Sequence, residues 1–178
     1  MGRINKIAIF GSDGSGKTRL TKILQQELRI PKCHLDSINY KENLQKEEPS
    51  LRDKKILTLT EKERWILDGN YIETLEKRIQ TSDLNIFLDF PIHIMVLGLL
   101  ERQIKGNGNQ REDIPGCIEK IDFKYIIDKV KEWKELKAKI YEIIYRNKDK
   151  NVVILKSRDA VNKYIEIIKV DEESNNIN

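Results

Sequence analysis

Gly11-Ser12-Asp13-Gly14-Ser15-Gly16-Lys17-Thr18 is a stretch in which residue type and spacing together specify a chemistry. It satisfies the full GxxxxGK[ST] pattern of a phosphate-binding P-loop, and it lies between an apolar run and a helical pattern, the context that the pattern requires. Glycines at 11, 14 and 16 let the main chain curl until successive amide N–H groups point inward. The start of the following helix adds its partial positive charge for phosphate oxygens. Lys17 then reaches the β and γ phosphates of a purine nucleoside triphosphate. The Thr18 hydroxyl holds Mg²⁺, a hard ion that prefers oxygen ligands and bound water. The alternative, a glycine turn that merely caps a helix, leaves the lysine and threonine unexplained.

Carboxylates at the ends of apolar runs are the next candidates. Asp68 closes WILD at 65–68 and is the first choice for holding Mg²⁺ through water, because strand ends in parallel sheets converge on the phosphate loop. Asp89 is its rival, and the alternative for either aspartate is a turn former or helix cap. Asp36, near the same rim, is placed to orient or deprotonate a substrate hydroxyl, or else is a surface carboxylate beside a charged helix. His34 reads better as a packing residue than as a functional group. Transfer of a phosphoryl group needs cations around its equatorial oxygens. Arg102, Lys105 and Arg111 flank a glycine- and asparagine-rich segment, GNGNQREDIP at 106–115, which reads as a lid; Arg102 and Arg111 are its catalytic candidates. Tyr125, Trp133 and Tyr141 recur at spacings that suit a packing stripe.

These residues must be carried by a sheet with helices. INKIAIF at 4–10 has the composition of a strand buried on both faces. Leu20, Ile23, Leu24 and Leu28 recur at helical spacing until Pro31. His34–Asp36 fits the end of a brief second strand, 65–68 a third, Asn85–Phe90 a fourth and Val152–Leu155 a fifth. The charged stretch 40–64 predicts helices on the rim. Helices are also expected at 92–105, over 118–146 as one or two, and at 160–168. Alternation of strand and helix means an α/β three-layer sandwich around a five-stranded parallel sheet. A single domain is expected over 1–170, with the lid near 102–117 and a frayed polar tail at 171–178.

Composition narrows the class further. A chain of 178 residues, 39% hydrophobic and 35% charged, has enough apolar matter for a real core. Its formal charge of +4, from 33 basic and 29 acidic residues, is scattered. That suits a phosphate ligand and argues against a nucleic-acid surface, which needs a concentrated basic face. Cys33 and Cys117 form no CxxC pair, so a zinc site or disulfide framework is not indicated, and a reducing compartment is. The longest apolar stretch, 84–100, is broken by Asp89, Pro91 and His93, so a cytoplasmic chain with no membrane span is expected.

In its motifs the chain resembles the adenylate-kinase-like P-loop proteins, and most closely the small bacterial group labelled DNA topology modulation proteins. The resemblance rests on GSDGSGKT at 11–18, HLD at 34–36, WILDGNY at 65–71, IFLDFP at 86–91 and REDIPGC at 111–117. It implies a nucleoside-monophosphate-kinase-like fold with an arginine-bearing lid, ATP and Mg²⁺ as ligands, Asp68 organising the metal, and Arg78 as an acceptor-side contact. Departures from the group include Ile92 and His93 after Phe90-Pro91, where arginine is common, and Lys105 at a usual arginine, a point charge without the planar fork. The expectation is therefore a phosphotransferase moving the γ-phosphoryl group of ATP to a small acceptor, a nucleotide among the options. The alternative is a nucleotide-dependent switch with slow hydrolysis, acting on a protein or on DNA.

Overall fold

The computed structural model describes residues 4–40, 45–105 and 123–175. Strand β1, Lys6–Gly11, is the apolar run expected ahead of the phosphate loop, and Ile7, Ala8, Ile9 and Phe10 are wholly buried. A strand covered on both faces belongs in the middle of a sheet, and β1 is central. With β2 (Lys32–His34), β3 (Trp65–Asp68), β4 (Leu84–Leu88) and β5 (Val152–Leu155) it forms one five-stranded sheet in the order β2-β3-β1-β4-β5. Every pairing is parallel. The architecture is the expected α/β sandwich.

Alternation along the strands divides the core in two. Ala8, Phe10, Leu67 and Phe87 face one side, where Leu35, Ile56, Leu75, Ile79, Met95, Leu99, Trp133 and Ile140 cover them. Ile7, Ile9, Ile66, Ile86 and Leu88 face the other, under Leu20, Leu24, Leu28, Ile165 and Ile168. The first layer is built by α2 (Leu35–Ile38), α3 (Pro49–Thr60), α4 (Ile72–Thr81), α5 (Ile92–Lys105) and α6 (Phe123–Arg146). The second is built by α1 (Lys17–Leu28) and α7 (Arg158–Asn175). Phe87 anchors the first layer, stacked on Phe10 at 5.4 Å and meeting the edge of Tyr141 at 5.5 Å. Burying such a side chain is worth about 1.5–3 kcal/mol.

Register sets the site. Ile9 pairs with Asp68, Gly11 with Leu88 and His34 with Asp68, so the C-terminal ends of β1, β2, β3 and β4 emerge along one edge. Strand order reverses at β1, which makes its C-terminal end the switch point where open α/β sheets bind ligands.

Three boundaries differ from the sequence expectation. The second strand stops at His34, and Asp36 sits in the first turn of α2, not at a strand end. The fourth strand stops at Leu88, which puts Asp89 just beyond it. The segment from Phe123 to Arg146 is one 24-residue helix, in keeping with the one or two expected there. The closing helix begins at Arg158 and continues to Asn175, so 171–175 are helical. No helix among the described residues is long and apolar enough to cross a membrane.

Candidate functional site

The P-loop is curled as its glycines require. Gly14 and Gly16 lie in the left-handed region, at φ 70° and 88°, and Gly16 caps α1. A side chain at Gly14 would meet the backbone of Met95, Gly98 and Leu99. Conversely, a Cβ on Gly98 would run into the Gly14 carbonyl. Helix α5 is therefore pressed directly against the loop at a glycine pair. Inside the loop, the Ser15 N–H and hydroxyl both donate to the Ser12 carbonyl, at 3.3 and 2.6 Å. The Gly11 N–H donates to Asn70 Oδ1 at 3.0 Å, which ties the loop to the turn after β3.

Lys17 folds back over this curl and donates from Nζ to the carbonyls of Gly11 and Ser12, each at 2.9 Å, with Asp13 Oδ1 at 3.9 Å. Its ammonium thus hangs at the mouth of the loop. Below it lies a cavity of about 210 Å³ lined by Asp13, Gly14, Gly16, Lys17, Thr18, Asp36, Asp68, Gly69, Gly98 and Arg102. One space accordingly brings together most of the residues that the sequence nominated.

Asp68 is nearly buried and firmly oriented. Thr21 Oγ1 donates to its Oδ2 at 2.7 Å, and His34 Nδ1 lies 2.8–2.9 Å from both oxygens. Lys32 Nζ approaches His34 Nε2 at 3.1 Å. An ammonium can only donate, so this network assigns the proton to Nδ1 and makes His34 a donor to Asp68. The histidine read as packing is thus part of the carboxylate's support. Among the described residues, no group of three or more His, Cys, Asp or Glu could hold a metal alone. A hydroxyl at Thr18 and a carboxylate at Asp68 suit Mg²⁺, which keeps several waters and takes its remaining oxygens from substrate phosphates.

Asp36 is held by the Tyr71 hydroxyl, which donates to Oδ1 at 2.8 Å. Burial, with the nearby Asp36 charge adding to it, pushes the Tyr71 phenol up, so it stays a donor. Arg52 lies 4.8 Å above the Tyr71 ring and pairs with Asp53 at 2.7 Å.

Two nominated residues are elsewhere. Asp89 is no part of the cavity: Tyr141 O–H donates to its Oδ2 at 2.7 Å and Lys137 Nζ pairs with Oδ1 at 2.6 Å. Helix α6 claims this carboxylate, which corrects its assignment as a metal ligand; burial and the bond to Asp89 push the Tyr141 phenol up to about 12. Arg78 is wholly buried and donates to the carbonyls of Gly69, Asn70 and Tyr71 at 2.8, 3.1 and 3.1 Å. Burial pulls its pKa down to about 10. It fastens the turn after β3 and cannot meet an acceptor, which corrects the contact implied by the resemblance. Arg102 does reach the site, with Nη2 at 3.4 Å from the Tyr125 hydroxyl. Arg111 and most of the expected lid lie outside the described residues.

A larger cavity, of about 470 Å³, opens beside the first and shares Asp13, Lys17, Asp36, Gly69 and Arg102 with it. Its far wall includes Asn39, Tyr40, Tyr71, Tyr125, Glu132 and Trp133. Sequence reasoning took Tyr125 and Trp133 as core. Trp133 does pack near Phe87, at 6.1 Å, but both residues also line this chamber. A third cavity, of about 330 Å³, runs from the outer side of Gly14–Gly16 between α1 and α7. It is lined by Arg19, Leu20, Ile23, Phe90, Val161 and Ile165 together with the Arg158–Glu101 pair.

No family model matches the chain, and no curated protein does. Solved structures do. Shikimate kinase from Bacteroides thetaiotaomicron superposes with a TM-score of 0.63 at 16% identity, over 96% of this chain and 99% of that one. The enzyme from Acinetobacter baumannii, in complex with shikimate, gives 0.57 at 15% identity, over 96% and 94%. That from Aquifex aeolicus gives 0.54 at 19% identity, over 97% and 98%. The resemblance to the DNA topology modulation group remains one of motifs. The likeness to solved proteins is one of fold, and the fold is that of these shikimate kinases.

Proposed function

We propose that this chain is an ATP- and Mg²⁺-dependent phosphotransferase that moves the γ-phosphoryl group to a hydroxyl of a small acceptor. One observation carries the reading: the phosphate cavity opens through Lys17, Asp36 and Arg102 into a second chamber large enough for an acceptor. A switch that only hydrolyses its nucleotide slowly needs no such chamber.

In this reading the amides of residues 11–18 hold the triphosphate, and the nucleoside lies in the groove between α1 and α7. Thr18 and Asp68 would hold Mg²⁺, and the bound ion would screen negative charge on the triphosphate. Lys17 and Arg102, which line the same cavity, neutralise charge on the migrating group. Asp36, held by Tyr71, accepts a hydrogen bond from the acceptor hydroxyl and takes its proton as the acceptor oxygen bonds to phosphorus. The bond from phosphorus to the β–γ bridging oxygen breaks, and ADP leaves. Arg111 is the sequence's further candidate for a lid cation.

A coupled ADP-release assay with a panel of small hydroxyl compounds and nucleoside monophosphates tests this. The expected result is release stimulated at least about tenfold over the acceptor-free rate by some member of the panel. Folded protein that binds MgATP but responds to no acceptor supports the switch reading instead.

A further inference from the structure

We propose that Asn70 serves both substrates, bracing the phosphate loop with its amide oxygen and donating from its amide nitrogen to an oxygen of the acceptor. The inference rests on the kinase reading above and names a residue that selects the acceptor. The Gly11 N–H meets the Asn70 side chain at 3.0 Å. A backbone N–H can only donate, so the atom it meets is Oδ1. That settles the amide's orientation and leaves Nδ2, with its two N–H donors, on the other side of the carboxamide. Asn70 is half-buried and lines the 470 Å³ chamber. Its Nδ2 makes no hydrogen bond to any described residue and is not enclosed by protein. A donor pair set in the chamber wall with no partner of its own suits an oxygen of whatever the chamber holds.

The backbone that carries Asn70 is fastened from below. Arg78, wholly buried, donates to the carbonyls of Gly69, Asn70 and Tyr71 at 2.8, 3.1 and 3.1 Å. Tyr71, the next residue, holds Asp36 through its hydroxyl at 2.8 Å. One short turn therefore reaches the phosphate loop through Oδ1, the proposed base through Tyr71 and the chamber through Nδ2. A donor on so fixed a turn needs little ordering when a ligand arrives, which is how a single contact becomes selective. The selection follows from the amide's chemistry. Nδ2 only donates, so it rewards a hydroxyl, carbonyl or carboxylate oxygen placed to accept and offers nothing to an ammonium. The acceptor accordingly carries at least two oxygen functions: the hydroxyl that attacks phosphorus and an oxygen that Asn70 binds.

Asn70→Asp and Asn70→Leu separate the two ends of the side chain. Aspartate keeps an oxygen for the Gly11 N–H and loses the donors; leucine, of similar size, loses the oxygen and the donors together. The full chain and each variant are titrated with MgATP by calorimetry, and ADP release is followed with glucose, myo-inositol, shikimate, uridine, AMP and UMP. For the compound that stimulates the parent most, N70D should raise KM at least about tenfold, as an oxygen facing an oxygen requires, while kcat and MgATP affinity stay within about threefold. In N70L, which adds no charge, KM should rise about three- to tenfold and MgATP should bind severalfold more weakly, because the Gly11 N–H has lost its partner. An unchanged KM in either variant overturns the acceptor contact and leaves the kinase reading standing. A loss of MgATP affinity in N70D as large as the rise in KM also overturns it, since Asn70 then only braces the loop. Unchanged MgATP affinity in N70L overturns the brace. Absence of stimulation by every compound, with MgATP bound by the parent, overturns the kinase reading and this inference with it.

Discussion

Asp68 is oriented by Thr21 and His34 and lines the same cavity as the P-loop threonine, the placement on which its proposed role toward Mg²⁺ rests. Asp68→Asn keeps the shape but removes the charge. It should lower Mg²⁺-dependent turnover at least about a hundredfold while changing metal-free nucleotide affinity severalfold at most. Equal losses in both, read by kinetics and by calorimetry with EDTA, would make the residue structural. Arg78 is the opposite case, a charge turned wholly inward. Arg78→Met leaves three carbonyls without their donor and should cost roughly 2–5 kcal/mol in urea unfolding; unchanged stability would contradict its role as a fastener. The contrast shows what single residues disclose. Lys17, Thr18 and Asp68 could be placed at one sheet edge because a glycine loop and a strand end fix where the chain goes there, whereas Asp36, expected at a strand end, reaches the same cavity from α2. Asp89 and Arg78 were not, because whether a polar side chain points at a ligand or at its own fold depends on partners far away in sequence. Tyr141 lies 52 residues from Asp89 and could not be matched to it from spacing.

At the scale of elements, the loop is held by its neighbours as much as by its own glycines. Helix α5 touches it through Gly98, and a glycine inside the otherwise apolar IMVLGLL pattern signals a close approach, since it costs helix stability with no other return. Gly98→Ala places a methyl group on the Gly14 carbonyl. The expected outcome is a loss of about 1–3 kcal/mol in stability and a matching fall in MgATP affinity, with the sheet retained by circular dichroism. Normal affinity and normal Tm would show that α5 yields freely. Strands were readable because their apolar runs are short and bounded; their ends moved by two residues where Leu35–Ile38 turned helical and where β4 closed early. Helix α4 was not singled out. Its buried stripe of Leu75, Arg78 and Ile79 contains a charge, and a buried arginine breaks the apolar pattern on which periodicity depends.

At the scale of the molecule, one sheet edge supports three adjoining spaces, which the proposed function assigns to the nucleoside, to its phosphates and to the acceptor. Fold class followed from alternation of strand and helix alone. The chamber did not, because α6 supplies its wall from residues that also pack as core, and periodicity cannot separate the two uses. Everything functional depends on the curl, so its affinity for the triphosphate is the measurement to make. Titration calorimetry of MgATP into the parent chain and into Lys17→Ala should show one site per chain in the parent. The variant should bind roughly ten- to a hundredfold more weakly, as loss of a charge-assisted contact of about 1.5–3 kcal/mol requires, with Tm otherwise retained. Equal affinity in the two proteins, or no binding to the parent, would contradict the account.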